Sequence, residues 1–313
     1  MKPEILLIEP MMPELEAKLD ATYAVHRLAQ AADRTAFIAD VAPRVRGLVT
    51  GGGTGASNAI LDALPKLEII AINGVGTDAV DLMHAKEKGI RVSNTPDVLT
   101  EDVADLGMAL MLAAARQIVA GDRFVRDGRW ARKEAIPLAR KVSGKRLGIL
   151  GMGRIGRAIG KRAEGFGMQI AYTDIRAFEE LPYRYVPTLL DLARESEILI
   201  IAAAGGAQSR RIVNRAVMDA LGRDGILVNV ARGTVVDEPA LVAALSKGTL
   251  GGAGLDVFLD EPNVPLELLT LGHLVLQPHR ASATVETRIA MGELVLANLA
   301  AHFSGKTLPT AVV

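Results

Sequence analysis

The sequence predicts an α/β protein made of two domains, each a doubly wound parallel sheet. Its length of 313 residues suits two domains of ordinary size. Short apolar runs alternate with helical patterns along most of the chain, as is typical of βαβ units. One long, mostly apolar helical segment just after residue 100 interrupts this alternation. We therefore expect one domain over 1–97 and 284–313 and a second domain, inserted into the first, over 98–283.

The first expected domain contains four apolar runs of strand length and one early helical pattern. The runs lie at 5–8, 47–50, 67–71 and 90–93, and the helical pattern lies at 15–19. Glycine-rich loops follow two of the runs, at 51–53 and 74–76. Because open parallel sheets bind ligands at the carboxyl ends of their strands, Gly52, Val75 and Gly76 are candidate substrate contacts.

A long helix is expected to lead into the second domain, over about 101–119 with Thr100 as its N-cap. Six strands separated mainly by helical segments then predict a second doubly wound sheet. These strands are expected at 146–150, 169–173, 198–202, 225–230, 252–257 and 274–276. A last helix, after Ala283 and through about His302, has apolar spacing that favours packing on the first domain.

Composition limits the class of partner. Lys plus Arg and Asp plus Glu are both 36, so no overall field draws the protein to nucleic acid or to an anionic membrane, and a small-molecule partner is expected. The chain has no cysteine, which excludes a disulfide framework and a cysteine metal site and favours a cytoplasmic location. No metal site is expected. The longest apolar runs, 108–115 and 198–204, are far shorter than the roughly 20 residues that span a bilayer, and the first residues lack the apolar core of a signal peptide.

A phosphate-binding motif follows the strand expected at 146–150. It reads Gly151-Met152-Gly153-Arg154-Ile155-Gly156. Gly151 permits a tight turn, Gly153 lets the backbone approach a pyrophosphate, and Gly156 lets helix and strand pack closely. The helix that starts near Arg154 directs its N-terminus at the anion. A glycine-rich turn without nucleotide is the alternative for an isolated motif, but the strand and helix around it favour a Rossmann-like or flavodoxin-like domain.

Two charged residues near the end of the next strand bear on the choice of cofactor. Asp174 stands where a carboxylate can bind the adenosine ribose hydroxyls, which favours NAD. Arg176 could instead pair with a 2′-phosphate and favour NADP. Either residue could also be a solvated loop charge. We expect NAD(P) as the cofactor, with NAD favoured over NADP.

Three ionisable residues, Arg232, Glu261 and His279, follow three successive expected strands. All three should lie on the edge of the sheet that binds the cofactor. Reduction of a 2-keto acid needs a cation for the carboxylate, an acid for the nascent alkoxide, and a group that keeps the acid charged. Taken singly, each residue would be interpreted as a surface, turn or loop residue. Their joint occurrence predicts an active site.

These residues stand within a series of motifs at 73–76, 151–156, 228–233, 253–258, 260–262, 277–279 and 282–284. The series resembles the D-isomer-specific 2-hydroxyacid dehydrogenase family, most closely its glyoxylate and hydroxypyruvate reductase branch, over essentially the whole chain. The resemblance implies an NAD(P)-dependent oxidoreductase that reduces a small 2-keto acid, glyoxylate or hydroxypyruvate, to the D-2-hydroxy acid. It also implies that 1–97 and 284–313 form the substrate-binding domain, that 98–283 form the NAD(P)-binding domain, and that the active site lies in the cleft between them. A bulkier 2-keto acid such as an aryl pyruvate is the alternative substrate. A non-catalytic NAD(H)-sensing binding protein is the alternative class.

The resemblance also implies roles for individual residues. Arg232 would bind the substrate carboxylate together with the backbone N–H groups of Val75 and Gly76, and His279 would donate the proton. Glu261 would hydrogen-bond His279 and stabilise its imidazolium, and Asp256 would receive the nicotinamide carboxamide. The other implied cofactor contacts are Thr100, Gly151, Gly153, Arg154, Ile155, Gly156, Asp174, Arg176, Ala231, His279 and Ser282.

Two further features concern substrate choice and assembly. Arg280 and Ala281 stand where the family usually has an aliphatic residue and glycine, and Arg280 is expected either to reach solvent or to bind an anion such as a second acidic group on the substrate. Trp130, after Arg129, resembles the family's arm that packs on a second subunit and contributes to its substrate pocket, so a homodimer is expected. The alternative is that this only Trp anchors its own core.

Overall fold

A computed structural model describes residues 2–313 and contains two parallel sheets. The chain divides into two compact units. The first contains the residues up to Leu99 together with Ser282–Val313, and the second contains Thr100–Ala281. Two parallel-sheet α/β domains, with the second inserted into the first, are therefore present. That the first binds substrate and the second binds NAD(P) stays a prediction at this point.

The first unit is built on a five-stranded parallel sheet. Its strands are β1 (Glu4–Leu7), β2 (Ala24–Arg27), β3 (Val45–Gly51), β4 (Ile69–Asn73) and β5 (Arg91–Ser93). Its first helices are α1 (Pro13–Thr22), α2 (Arg34–Val41), α3 (Asn58–Ala63) and α4 (Leu82–Glu87). The strand order β2-β1-β3-β4-β5 is the flavodoxin-like order. Strand β2 was not predicted, because its four residues lie at the sheet edge and are only partly buried.

Both faces of this sheet are buried. Along β1, Leu6 belongs to one apolar cluster, whereas Ile5 and Leu7 belong to another. Successive side chains of a strand point to opposite faces, so the two clusters cover opposite faces of the sheet. Burial on both faces is the reason that the strands appear in the sequence as continuous apolar runs.

The residues Thr310–Val313 pair with β5 in the antiparallel direction at the outer edge of the sheet. Ala311 forms an antiparallel bridge with Ser93, and the N–H of Val312 donates to the carbonyl of Val92 at 2.7 Å. This segment follows α12 (Val285–Phe303), which packs against β4 of the same unit. The added segment covers an edge that would otherwise expose unpaired backbone groups.

The second unit contains seven parallel strands. They are β6 (Arg146–Leu150), β7 (Gln169–Thr173), β8 (Arg184–Tyr185), β9 (Ile198–Ile201), β10 (Ile226–Asn229), β11 (Gly252–Leu255) and β12 (Val275–Leu276). Its helices are α5 (Thr100–Arg116), α6 (Ile118–Arg126), α7 (Arg154–Glu164), α8 (Leu189–Glu195), α9 (Arg215–Leu221), α10 (Glu238–Ser246) and α11 (Leu266–Thr270). The strand order is β12-β11-β10-β9-β6-β7-β8. This is a doubly wound Rossmann-like sheet, in which successive strands are added on one side of β6 and then, starting with β9, on the other. The two-residue strand β8 was not predicted.

The single long helix expected over 101–119 is wrong, since two helices occupy this region. Gln117 adopts the left-handed conformation with φ 53° and ψ 40°, and the chain bends by 59° between α5 and α6. Thr100 is the first residue of α5 and not its N-cap. Within residues 2–313, no single helix is long and apolar enough to cross a membrane. Helices α5 and α6 reach that length and apolar character only when they are counted together, across the bend between them.

Candidate active site

The glycine-rich loop joins β6 to α7 in the second unit. Gly151 has φ +91°, and a Cβ there would lie 2.6 Å from the backbone of Ala203. A Cβ on Gly156 would lie 2.0 Å from the carbonyl oxygen of Gly151. At Gly153, the N-cap of α7, a Cβ would meet no protein atom within 4 Å. Packing within the protein accounts for two of these glycines, and the third fits the approach of a pyrophosphate to the helix N-terminus.

Asp174 lies directly after β7 with both carboxylate oxygens hydrogen-bonded to backbone groups. One oxygen accepts from the N–H of Met152 in the glycine-rich loop, and the other accepts from the N–H of Ile175, both at 2.6 Å. The guanidinium of Arg176 stacks over the ring of Phe178, 5.0 Å from its centroid. The two residues expected to discriminate NAD from NADP therefore both lie at the end of β7, and Asp174 is fixed against the phosphate-binding loop.

The three predicted catalytic residues emerge at one edge of the seven-stranded sheet. Arg232 follows β10, Glu261 follows β11 and His279 follows β12, and these three strands are parallel neighbours. Parallel strands direct their carboxyl ends to the same edge, which is why residues far apart in sequence meet there.

His279 and Glu261 are in direct contact. Nδ1 of His279 lies 2.6 Å from Oε2 of Glu261, and the backbone N–H of Phe258 donates to Oε1 of the same carboxylate at 3.0 Å. The side chain of His279 remains 36% exposed. Because Nδ1 is engaged by the carboxylate, Nε2 is the ring nitrogen that can face a reacting molecule.

The protonation of Glu261 is set by opposing effects. Burial by itself would raise the pKa of Glu261. The hydrogen bonds from His279 and Phe258, together with the positive charges of His279 and Arg232, outweigh burial and lower this pKa below its ordinary value. Glu261 is therefore ionised at neutral pH, within electrostatic reach of Arg232.

The backbone at His279 is held in an unusual conformation. Its φ of +48° lies in the left-handed region, which non-glycine residues rarely adopt and which costs roughly 1 kcal/mol or more. The N–H of His279 donates to the carbonyl of Asp256 at 2.7 Å. The Asp256 carboxylate accepts from the N–H groups of Arg280 at 2.8 Å and Ala281 at 2.9 Å. Three hydrogen bonds to one residue thus stabilise the loop that carries the histidine.

Asp256 is 0% exposed. Burial raises the pKa of Asp256 above its ordinary value, although the two backbone N–H groups favour the ionised form. In the structure this carboxylate positions residues 279–281. Its expected contact with the nicotinamide carboxamide stays a prediction.

Asn229, the last residue of β10, shapes the loop that carries Arg232. Its side chain accepts from the N–H of Ala231 and donates to the carbonyl of Arg232, both at 3.0 Å. A Cβ on Gly233 would lie 2.0 Å from the backbone of Phe258, so the loops after β10 and β11 are in contact. The sequence prediction gave Asn229 no role; its signal was a polar residue that ends an apolar strand.

In the first unit, the glycine-rich loops after β3 and β4 pack backbone against backbone. A Cβ on Gly74 would lie 2.9 Å from Cα of Gly52, and a Cβ on Gly52 would lie 3.3 Å from the carbonyl oxygen of Gly76. The carbonyl of Val75 accepts from Nδ2 of Asn94 at 2.8 Å. The candidate substrate contacts of this unit therefore form one tightly packed group, and Asn94 belongs to it although sequence reasoning did not select it.

The other predicted cofactor contacts lie where elements begin or end. Thr100 begins α5, Arg154 and Ile155 begin α7, and Ala231 follows β10. Ser282 is the first residue of the segment that returns to the first unit.

Two predicted specificity residues are exposed. Arg280 reaches solvent, which is one of the two outcomes expected for it. Trp130 lies beyond α6 and is 71% exposed, so the alternative that it anchors its own core is wrong.

The chain matches a known protein family and is similar to named enzymes over its whole length. The profile of the family "D-isomer specific 2-hydroxyacid dehydrogenase, NAD binding domain" matches residues 108–281. A 2-ketogluconate reductase of Gluconobacter oxydans is 47% identical over 312 residues, which cover 100% of this chain and 99% of that protein. A glyoxylate/hydroxypyruvate reductase of Arabidopsis thaliana is 48% identical over 309 residues, which cover 99% of this chain and 98% of that protein.

One solved structure extends the similarity to three dimensions. It is an NADPH-dependent glyoxylate/hydroxypyruvate reductase from Sinorhizobium meliloti in complex with NADP and malonate. It superposes with a TM-score of 0.92 at 42% identity, covering 100% of this chain and 97% of that one. The likeness therefore extends over both units.

Proposed function

Because this chain belongs to the D-isomer-specific 2-hydroxyacid dehydrogenase family, we propose that it reduces glyoxylate and hydroxypyruvate through Arg232, Glu261 and His279. It is an NAD(P)-dependent oxidoreductase that acts on the CH–OH group of 2-hydroxy acids. The observation that carries the proposed site is the 2.6 Å contact between His279 and Glu261 at the edge where Arg232 also emerges. A protein that only senses NAD(H) has no need of such an acid and its partner.

The proposed chemistry adds a hydride to the keto carbon and a proton to the keto oxygen. Reduced nicotinamide, when bound, supplies the hydride. The proton comes from Nε2 of His279, since Nδ1 is engaged by Glu261. Ionised Glu261 accepts the hydrogen bond of Nδ1 and thereby orients the ring. Arg232 binds the substrate carboxylate and stabilises the negative charge that develops on the keto oxygen.

The residues of the second unit fit a dinucleotide cofactor. Gly151, Gly153 and Gly156 would hold the pyrophosphate at the N-terminus of α7, and Asp174 would hold the adenosine ribose. We favour NAD over NADP, because Asp174 presents an ionisable carboxylate where a 2′-phosphate would be repelled. Arg176 is the competing feature, and the Sinorhizobium meliloti relative is named NADPH-dependent. Removal of Arg176 should weaken NADPH use more than NADH use.

The physiological substrate could be larger than hydroxypyruvate. The observation that favours this second candidate is the relative named 2-ketogluconate reductase, which is as similar to this chain as the glyoxylate/hydroxypyruvate reductase. An aryl pyruvate stays a further prediction. Selection among these acids depends on the shape of the pocket around the substrate side chain.

The test is the loss of NADH or NADPH absorbance with glyoxylate, hydroxypyruvate, pyruvate, 2-ketogluconate and phenylpyruvate. We expect turnover of the first two, with the ratio of kcat/KM between cofactors deciding NAD against NADP. Tight NADH binding without turnover of any acid would instead support the non-catalytic NAD(H)-sensing protein.

Arg232→Ala should raise the KM for the keto acid by roughly tenfold or more, since charge-assisted hydrogen bonds to the carboxylate are lost. Unchanged saturation in that variant would remove Arg232 from carboxylate binding.

We further propose a cytoplasmic homodimer. Several large apolar side chains are exposed along the segment that begins with α6, and Leu138 is 95% exposed. They are Ile118, Val125, Trp130, Ile136 and Leu138. A second copy of the chain would remove this surface from water. Light scattering should give about twice the mass of 33.1 kDa, and Leu138→Asp should shift the equilibrium toward monomer.

A further inference from the structure

A chain of hydrogen bonds within the first unit leads from helix α12 to the loop after β4. Nδ2 of Asn298 donates to Oγ1 of Thr310 at 2.8 Å. Oγ1 of Thr310 donates in turn to the carbonyl of Asn94 at 2.6 Å. Nδ2 of Asn94 then donates to the carbonyl of Val75 at 2.8 Å. The side chains of three residues thus connect α12 to the carbonyl of Val75.

The last of these hydrogen bonds, from Asn94 to the carbonyl of Val75, determines the direction of a backbone N–H group. The carbonyl of Val75 belongs to the same peptide unit as the N–H of Gly76. A trans peptide is planar, so its C=O and N–H point in opposite directions. Asn94, by holding the carbonyl of Val75, therefore fixes the direction of the N–H of Gly76.

The preceding peptide unit is held in the same way. The backbone N–H of Thr95 donates to the carbonyl of Gly74 at 2.9 Å, and this carbonyl shares its peptide unit with the N–H of Val75. Two adjacent residues after β5 thus orient two successive N–H groups after β4. These are the two N–H groups that the sequence analysis predicts to bind the substrate carboxylate.

The support behind Asn94 is rigid. Asn298 is 1% exposed, and its Oδ1 also accepts from the N–H of Thr310 at 3.2 Å, so the two residues are joined by a pair of hydrogen bonds. Thr310 begins the segment that pairs with β5, and the N–H of Asn94 donates to its carbonyl at 3.3 Å. Hydrogen bonds shielded from water are stronger and less adaptable than exposed ones. Asn94 therefore has little freedom to turn away from Val75.

We propose that Asn94, held by Thr310 and Asn298, is a positioning residue that aims the N–H of Gly76 at the carboxylate of the 2-keto acid. The proposal rests on the proposed function and on the prediction that the N–H groups of Val75 and Gly76 bind this carboxylate. It assigns a role in substrate binding to the Thr310–Val313 segment, which is remote in sequence from every predicted substrate contact. No chemical step involves Asn94 itself.

Asn94→Ala removes the hydrogen bond to the carbonyl of Val75, so the peptide unit between Val75 and Gly76 is less constrained. We expect the KM for glyoxylate to rise by roughly tenfold, with a smaller change in kcat, because one charge-assisted hydrogen bond to the carboxylate is weakened. The dissociation constant of NADH, measured by its fluorescence, should be unchanged. Asn94→Asp should be at least as impaired, since it places a carboxylate oxygen against the Val75 carbonyl.

A remote substitution separates positioning from local damage. Thr310→Val keeps the shape of the side chain but removes its hydroxyl, and it should raise the KM for glyoxylate in the same direction as Asn94→Ala. Thr310→Ser restores the hydroxyl and should restore the KM. Thr307→Val makes the same chemical change at an exposed position three residues before this segment and should leave KM unchanged.

A binding measurement distinguishes failure of this inference from failure of the proposed function. Oxamate, an unreactive analogue of a 2-keto acid, should raise the Tm of the NADH-loaded wild type, and by less in Asn94→Ala and Thr310→Val. If wild type turns over glyoxylate and binds oxamate but both variants match Thr307→Val, the positioning role is refuted. If wild type neither turns over any tested acid nor binds oxamate, the proposed function fails and the inference fails with it.

Discussion

At the strand ends of the second unit the groups proposed to take part in the reaction are side chains, whereas at the strand ends of the first unit the groups proposed to bind substrate belong to the backbone. In the second unit, the N–H of Phe258 holds Glu261, and Glu261 in turn holds His279. In the first unit, the side chain of Asn94 holds the carbonyl of Val75, and the groups proposed to bind substrate are backbone N–H groups. Substitution of a proposed functional residue in the second unit should therefore remove the reactive group. In the first unit the same kind of substitution leaves the backbone N–H group in place.

The largest effect that this comparison predicts is at His279. His279→Ala removes the proton donor and should lower kcat by roughly a hundredfold or more, while the dissociation constant of NADH changes little. His84→Ala, at a histidine paired with Asp62 away from the predicted site, is the matched control and should retain activity. A fully active His279→Ala enzyme would show that another group supplies the proton.

A smaller effect is predicted at Glu261. Glu261→Gln keeps the shape of the side chain but replaces the carboxylate beside His279 with a neutral amide. Because hydrogen bonds to a charged acceptor are stronger than those to a neutral one, the amide holds the ring less firmly, and we expect kcat for glyoxylate to fall by roughly tenfold with the dissociation constant of NADH unchanged. A kcat equal to that of wild type would contradict this role.

Stability should respond to the same substitution with a defined sign. The pKa of Glu261 is lowered in the folded protein, so its contribution to stability is fully present above its ordinary value of 4.5 and is lost as pH falls through the lowered value. Glu261→Gln lacks this contribution. The difference in Tm between wild type and variant should therefore shrink as pH falls below about 4.5.

A still smaller effect is predicted at Arg280, which tests its part in substrate choice. Its side chain is exposed, so Arg280→Ala should change the free energy of unfolding by no more than about 0.5 kcal/mol. If Arg280 binds a second acidic group, the ratio of kcat/KM for oxaloacetate to that for glyoxylate should fall several-fold. An unchanged ratio would leave Arg280 as a solvated charge.

The smallest effect is predicted at Val75, where the comparison is most directly tested. Val75→Ala keeps the backbone N–H and changes only the side chain, so kcat/KM for glyoxylate should change by less than about threefold. Asn94→Ala, which leaves residue 75 untouched, should have the larger effect on KM. The opposite order would mean that the Val75 side chain, and not the peptide units, binds the substrate.

The fold was largely predictable because buried parallel strands leave a strong signal. The strands β6 and β7 have the bounds expected from their apolar runs. The edge strands β2 and β8 were missed, since partial burial leaves no continuous apolar run. The break at Gln117 was missed because neither proline nor glycine marks it, and glutamine has no preference for the left-handed conformation found there.

The sequence by itself determined which chemical groups stand at the strand ends: the glycines of the phosphate-binding loop, Arg232, Glu261 and His279. Local spacing carries this information, because a parallel sheet delivers every such loop to one edge. Only the tertiary structure decided which atoms are engaged and which can act. Nδ1 of His279 is engaged by a residue 18 positions away, and Asn94 is held by a residue 216 positions away. A hydrogen bond depends on the distance and direction between two atoms, and these exist only once the chain has folded.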